Sequence, residues 1–278
     1  MEWWHAVLLG AVEGVTEFLP VSSTGHLTIL EKLLGYTIDD PDITAFTVII
    51  QFGAVFATIL YLRRDILRLV AAFLDGLRYR EARHNADWRL AIGVIVGSIP
   101  IGVVGLLFSD VIETTLRSLW VVGIALIGWS FVMLLADRTA KQDRPESSVT
   151  WKDTLLIGTV QCLALIPGIS RSGATMSIGL ALRLDRVTVT RLSFMLSIPA
   201  LTAASFYQGY SAFPQISSGI GWGPTLLATA VSFVVAYLTV DWLLKFIARH
   251  SYSVFIAYRV VAGAVVLALV GTGVVSAT

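Results

Sequence analysis

With one cysteine in 278 residues, Cys162, the chain can form no intramolecular disulfide, and its redox compartment is not readable from sulfur. Charge is scarce too. Asp, Glu, Lys and Arg make up 14% of residues, against about 25% in a soluble domain. The formal net charge of +1, with no basic tail or stripe, leaves no electrostatic footprint for nucleic acid. The opening "MEWWHAVLLG" lacks a basic n-region and a small-residue cleavage site, so it is expected to belong to the mature protein and not to a signal peptide. What abounds is apolar: 56% hydrophobic residues and a mean hydropathy of +0.78, the composition of an integral membrane protein.

Six apolar segments, at roughly 44–62, 90–108, 118–136, 192–209, 224–247 and 254–274, are each long enough to cross a bilayer as a helix. Two more, roughly 3–30 and 154–182, are interrupted near their middles by "FLPVSSTG" and "IPGISRSG". Proline and glycine free backbone N–H and C=O groups, which membrane depth tolerates only where protein buries them or water reaches them. Both regions are therefore expected to be re-entrant hairpins. They also resemble each other. "LLGAVEGVTEFLPVSSTGH" from Leu8 lies over "LIGTVQCLALIPGISRSGA" from Leu156 without a gap, with five identities in nineteen and Glu13 opposite Gln161. Each is followed by three spans, so a single membrane domain, 1–278, divides into internal repeats at about 1–136 and 154–278.

Arginine placement orients the chain. "RRDILRLVAAFLDGLRYREARHNADWR" holds Arg63, Arg64, Arg68, Arg78, Arg80, Arg83 and Arg89 and is expected to face the cytoplasm. Counting spans from it leaves 109–117 outside and 137–153 inside. Taking 154–182 as a hairpin keeps Arg183, Arg186 and Arg191 inside as well, while "GYTIDDPD" and the uncharged "QGYSAFPQISSGIGWG" fall outside. The expected fold is an all-α integral membrane protein: an inverted-topology repeat of six transmembrane helices and two re-entrant helical hairpins entering from opposite faces, with both termini outside.

The polar residues of the hairpins carry the functional signal. Glu13 and Glu17 share one helix face, and charged residues at a helix centre cost roughly 2.5–3.5 kcal/mol each on translocon scales. Like charges four residues apart repel, which raises one pKa or recruits a cation. The plain alternative is a carboxylate pair solvated at the membrane surface. Ser22, Ser23, Thr24 and His26 cluster at the adjacent break, and a hydroxyl, a histidine and a carboxylate within two turns match a nucleophile–base–orienter pattern. A lone histidine is otherwise a packing residue. In "PGISRSGAT", Arg171 stands between Ser170 and Ser172, with Thr175 one turn on. Arginine at a helix N-terminus suits bidentate phosphate contact, although it could also snorkel or pair with Glu13 or Glu17. Carboxylates, hydroxyls, a histidine and an arginine in one buried notch suit phosphoryl transfer. Asp241 and Arg259, near span ends, read as a structural pair or as snorkelling groups. Pro100 and Pro199, both in "SIP", are expected to kink their spans.

"EGVTEFLPVSSTGH" and "PGISRSGAT" resemble the two signature motifs of the bacterial undecaprenyl-diphosphate phosphatases of the bacitracin-resistance type, with no departure in either motif. The likeness runs along essentially the whole chain. It implies a multi-pass protein of the bacterial cytoplasmic (inner) membrane that hydrolyses the C55 lipid undecaprenyl diphosphate to undecaprenyl phosphate and inorganic phosphate. Such an enzyme recycles the carrier for peptidoglycan and other wall polymers and gives bacitracin resistance. It further implies a site open to the outer side and a divalent cation, Mg2+ or Ca2+. Carried onto this chain, the matching residues are Glu13, Glu17, Ser23, His26 and Arg171, with Ser22, Thr24, Ser170, Ser172 and Thr175 as further substrate contacts. Glu13 and Glu17 are the candidate cation ligands. Ser23 is the expected nucleophile, His26 the second choice and water the third; a homodimer stays open.

Two rivals remain. Inverted repeats with broken helices are also the pattern of transporters, so a lipid-phosphate transporter or flippase is the alternative; transport needs binding groups but no nucleophile beside a base. "STGH" and "SRSGAT" also resemble the motifs of type-2 phosphatidic-acid phosphatases. That superfamily's second histidine, about six residues past the arginine, is here Ser177, and the next histidine is His250, which excludes the two-histidine mechanism.

Overall fold

The computed structural model describes all residues except 38–39, 109–115, 117 and 278, and only the backbone of Ser211. Among the described residues it is helical throughout its regular structure, with no strand. The helices are α1 (Trp3–Thr16), α2 (Ser23–Leu33), α3 (Pro41–Tyr61), α4 (Arg63–Arg78), α5 (Ala86–Leu107), α6 (Leu119–Thr139), α7 (Trp151–Gln161), α8 (Arg171–Ala181), α9 (Arg186–Ser218), α10 (Trp222–Ile247) and α11 (Ser253–Gly271). Six of them, α3, α5, α6, α9 (over Arg186–Tyr210), α10 and α11, are long and apolar enough to cross a membrane, matching the six apolar segments of the sequence. The "GYTIDDPD" connection and the 109–117 connection lie partly outside the described residues.

Polar residues start these helices where the chain leaves a loop. Asp40 accepts from the Asp42 amide ahead of Pro41 at the first position of α3, and Asn85 accepts from the Asp87 amide before α5. Thr150 and Asp153 form a reciprocal capping box at α7, and the Asp185 side chain caps α9. Pro100 and Pro199 both fall inside helices, α5 and α9, as does Pro214.

The two interrupted regions double back. α1 and α2 flank a break at 17–22, and the His5 ring at the start of α1 is 2.6 Å from the Tyr36 hydroxyl just beyond α2. α7 leads through a short 3₁₀ turn, Cys162–Leu165, and a break to α8. Arg144 joins both ends of that segment, bonding Asp153 at 2.7 Å and the Leu182 carbonyl at 3.0 Å. Both breaks are buried: Phe18, Leu19 and Val21 belong to the same apolar core as Met176, Leu180 and Phe194, with the Phe18 and Phe194 rings edge-on at 5.2 Å.

Charge gathers at one end of the bundle. Arg191 pairs with Asp65 at 2.5 Å, Arg68 with Asp87 and Glu146, and Arg186 with Asp137, which also accepts from the Tyr252 amide. These pairs bring together the C-terminal ends of α3 and α6 and the N-terminal ends of α4, α5, α9 and α11, so the arginine-rich connections share one side as their spacing suggests. At the other end the cluster is apolar, built on Leu9, Phe46, Ile50, Ile216 and Ala228.

Two features depart from expectation. The stretch after α3, read only as a loop, contains α4, whose Leu67, Val70, Leu74 and Leu77 form an exposed apolar stripe while Leu69 and Gly76 turn inward. Asp241 and Arg259 do not pair. Asp241 binds Lys245 at 2.6 Å and the Tyr61 hydroxyl at 3.1 Å, whereas Arg259 lies fully buried elsewhere.

Helix contacts between like-sized apolar chains in lipid gain little from hydrophobicity, so close backbone approach carries the packing. α5 and α7 touch where a Cβ on Gly158 would stand 1.8 Å from the Gly97 carbonyl oxygen. Gly158→Ala must therefore force these helices apart. A loss of about 1–3 kcal/mol is expected, visible as a lower thermal unfolding temperature in detergent, with Gly128→Ala, which meets nothing within 4 Å, as the unaffected control.

Candidate active site

The two breaks share a local geometry. Ser22 and Ser170 each stand at the N-cap of the outgoing helix with φ of 75°, and each hydroxyl accepts from an amide three residues on, Gly25 at 3.4 Å and Gly173 at 3.2 Å. A left-handed conformation is rare for serine and costs on the order of 1–3 kcal/mol, so the surroundings must impose it. It turns the chain sharply enough that the next residue, Ser23 in one break and Arg171 in the other, opens its helix. In the ungapped register of the sequence, Ser22 lies over Ser170 and Ser23 over Arg171.

The breaks are stitched together by backbone and hydroxyl groups. The Gly168 amide donates to Ser22 Oγ at 3.2 Å, and Ser172 Oγ donates to the Leu19 carbonyl at 2.8 Å. Gly168 itself has φ of 100°, and a Cβ there would stand 2.5 Å from the Val122 carbonyl oxygen, so glycine is required on both counts.

Glu17 is the hub. Its Oε1 accepts from Arg171 Nη2 at 3.0 Å and from Gln51 Nε2 at 3.4 Å, and its Oε2 accepts from the Ser23 hydroxyl. The side chains of Glu17 and Arg171 are 5% and 11% exposed, so the pair is desolvated. The guanidinium also lies over the Phe18 ring, 5.7 Å from its centroid, while Arg171 Nε and Nη1 are buried with no partner among the described residues. Glu13, one turn before Glu17, is 1% exposed and its Oε1 likewise lacks a partner. Gln161, opposite Glu13 in the register, is also fully buried with both amide atoms unpartnered.

The remaining predicted residues divide. Ser170 and Ser172 are within 3.1 Å of each other, and Thr175 reaches Ser193 at 2.6 Å and the Arg171 carbonyl at 3.0 Å, so these hydroxyls are engaged by protein groups. Thr24 is exposed, and its hydroxyl joins none of these bonds. His26 forms no hydrogen bond with Ser23 among the described residues. Its Nδ1 is 2.7 Å from the Ser22 carbonyl oxygen, a contact that requires the proton on Nδ1, and its Nε2 is 2.6 Å from the Tyr258 hydroxyl.

Three participants escaped the sequence reading, Gln51, Ser193 and Tyr258, and a fourth, Arg259, was read only as a structural or snorkelling group. Arg259 donates to the carbonyls of Pro20 in one break and Gly168 in the other, at 3.2 and 2.9 Å. No motif marks a partner that is backbone. Tyr258 and Arg259 are adjacent on α11, and an arginine in an apolar span was the one available signal.

The expected divalent cation can be tested against the donors present. Glu13 offers a buried oxygen without a partner and Glu17 lies one turn away; among the described residues no group of three or more His, Cys, Asp or Glu converges. Two carboxylates fit a hard cation that keeps several waters and shares its remaining positions with phosphate oxygens.

Six apolar helices around a buried set of carboxylate, hydroxyl and guanidinium define a multi-pass membrane protein with an internal site suited to an anionic group. Comparison with known proteins narrows the class. Residues 6–265 match the family described as bacitracin resistance protein BacA, and the chain belongs to that family. It is 67% identical over 274 residues to "Undecaprenyl-diphosphatase 3" of Frankia casuarinae, covering 99% of both chains. It is 55% identical to "Undecaprenyl-diphosphatase" of Cutibacterium acnes and 46% to that of Mycobacterium ulcerans, with full coverage of both chains in each case.

The seam between the breaks yields a prediction. Ser22→Ala leaves the buried Gly168 amide without an acceptor, which costs about 1–3 kcal/mol. Thermal unfolding in detergent should register that loss. An unchanged transition would mean that the Ser22–Gly168 bond does not hold the breaks together.

Proposed function

We infer that this chain is an undecaprenyl-diphosphatase, hydrolysing undecaprenyl diphosphate to undecaprenyl phosphate and inorganic phosphate. The observation that carries the reading is Glu17 bonded at once to a hydroxyl, Ser23, and to a guanidinium, Arg171, that keeps two buried donors free. Three relatives covering the full chain carry the undecaprenyl-diphosphatase name, which does not favour the transporter reading.

The chemistry follows from those positions. Arg171 Nε and Nη1 bind the terminal phosphoryl oxygens and stabilise the charge that spreads over them in the transition state. Ser23 Oγ attacks the terminal phosphorus while Glu17 takes its proton. The bond from that phosphorus to the bridging oxygen breaks, and undecaprenyl phosphate leaves with the electron pair. Water then attacks the phosphoserine, Glu17 returns to Oγ the proton it took from Ser23 as the P–Oγ bond breaks, and inorganic phosphate departs with the water's oxygen and both of its hydrogens. A divalent cation held by Glu13 and Glu17 would neutralise diphosphate charge. His26, with both ring nitrogens engaged, orients the backbone of the break instead of attacking.

The topology belongs to the same proposal. The chain is an inverted repeat, about 1–136 and 154–278, whose two hairpins are re-entrant from opposite faces of the bacterial cytoplasmic membrane. Supporting this are the doubling-back contacts His5–Tyr36 and Arg144–Leu182, the first at the apolar end of the bundle and the second at the charged end. The arginine-rich end faces the cytoplasm by the positive-inside rule, both termini lie outside, and the site opens outward.

Phosphate release from undecaprenyl diphosphate by purified protein in detergent tests the function. Wild type is expected to turn over and to stop with EDTA, and Glu17→Gln, Ser23→Ala and Arg171→Ala are each expected to lose about 100-fold or more. Substrate labelled in the terminal phosphate should leave label on Ser23 after rapid acid quench. Turnover in Ser23→Ala near the wild-type rate would replace the phosphoserine with direct attack by water, and a folded but inactive wild type would sink the diphosphatase reading.

A further inference from the structure

We propose that Arg259 is a positioning residue for phosphoryl transfer: from α11 it fixes the separation at which the Glu17–Ser23 arm of one break meets the Arg171 arm of the other. The role rests on the diphosphatase reading. It stands apart from the two motifs, since Arg259 lies 88 positions beyond Arg171 in the chain.

Arg259 is 0% exposed, and among the described residues it forms no ion pair. A guanidinium keeps its charge, so here a full positive charge sits inside a membrane bundle with only dipoles to offset it. Those dipoles come from three places. Nη1 donates to the Pro20 carbonyl at 3.2 Å in the first break, and Nη2 to the Gly168 carbonyl at 2.9 Å in the second. On α6, Nη2 reaches the Leu126 carbonyl at 3.3 Å, and Nε donates to Ser130 Oγ at 3.2 Å. Ser130 is itself anchored on the Leu126 carbonyl at 2.6 Å.

The register of these contacts gives them their meaning. Pro20 is three residues past Glu17, and Gly168 is three residues before Arg171. The fork thus grips each break at the same remove from the side chain that does chemistry, and α6 supplies the fixed reference. Apart from the Glu17–Arg171 pair itself, the other links across the seam named above are single neutral bonds, Gly168 to Ser22 and Ser172 to Leu19. A planar fork with fixed donor angles constrains two backbones at once, which neither a lysine ammonium nor an apolar side chain of similar volume can do. Reacting groups displaced by about 1 Å lose on the order of 100-fold in rate, so a group that sets this spacing governs turnover without touching substrate.

Steady-state kinetics on Arg259→Met, Arg259→Lys and Ser130→Ala test the role, with size-exclusion profile and thermal unfolding as controls for folding. Arg259→Met is expected to lower kcat about 100-fold while KM stays within about threefold, because the Arg171 donors that bind phosphate are retained. Arg259→Lys should recover part of the loss, and Ser130→Ala, which removes only the partner of Nε, should lower kcat severalfold. A merely structural role would reduce the folded fraction but leave kcat per folded molecule unchanged. Wild-type kcat in folded Arg259→Met overturns the proposal. Should that variant fail to fold, wild-type kcat in both Arg259→Lys and Ser130→Ala overturns it, and a fall in kcat at constant KM supports it. An inactive wild type overturns the diphosphatase reading and this role together, whereas an active wild type with indifferent variants overturns the role alone.

Discussion

The buried pair between Glu17 and Arg171 is the constraint around which the rest of the molecule is arranged. Each group alone would be an uncompensated charge in an apolar interior, and removing one partner of such a pair typically costs about 3–5 kcal/mol. The two residues are 154 positions apart, so the pair forms only if both broken helices bring their tips to the same depth. The irregular backbone in the core serves the same cluster, since a continuous helix would put Ser23, six residues on, about 9 Å along the axis from Glu17 and out of reach of it. The pairing also leaves Arg171 open to a ligand: a phosphate can take Nε and Nη1 without first displacing Glu17 from Nη2.

Packing and charge divide the labour of holding this arrangement. In the middle of the bundle, small residues let backbones approach until a methyl group would not fit, as at Gly158 against Gly97 and Gly53 against the Thr229 carbonyl. At one end, the Arg186–Asp137 and Arg144–Asp153 pairs tie helix ends that packing alone would leave free to fray. The Asp137 carboxylate serves twice, receiving Arg186 from α9 and the Tyr252 amide at the start of α11. Through Tyr252 the charged end is coupled to the same helix that delivers Tyr258 and Arg259 to the breaks.

Much of this was legible in the sequence, for reasons that can be named. Spans announce themselves by length and apolarity, and the six came within a few residues of their helices, apart from α9, which runs on to Ser218 through Pro214. Glu17, Ser23 and Arg171 were conspicuous because intramembrane polar groups need a cause, and their convergence followed from placing both breaks at similar depth. Arg259 was misread because its partners are carbonyl oxygens, which every residue possesses and no spacing reveals. The contacts of His26 were hidden for a related reason: proximity in sequence points to Ser23, whereas the ring meets Tyr258 on a distant helix. α4 was missed because seven arginines in its neighbourhood outweighed the three-and-four spacing of Leu67, Val70, Leu74 and Leu77.

Ser23 and Arg171 open their helices from the same place in two copies of one turn, Ser22 and Ser170 having equal φ and equivalent caps. The same backbone turn thus presents a hydroxyl in one break and a guanidinium in the other, so the turn sets the geometry of the site and the single residue that follows it sets the chemistry. The positions that face each other in the ungapped register differ upstream as well, Glu13 against Gln161 and Glu17 against Leu165, so both carboxylates come from one break and the guanidinium from the other.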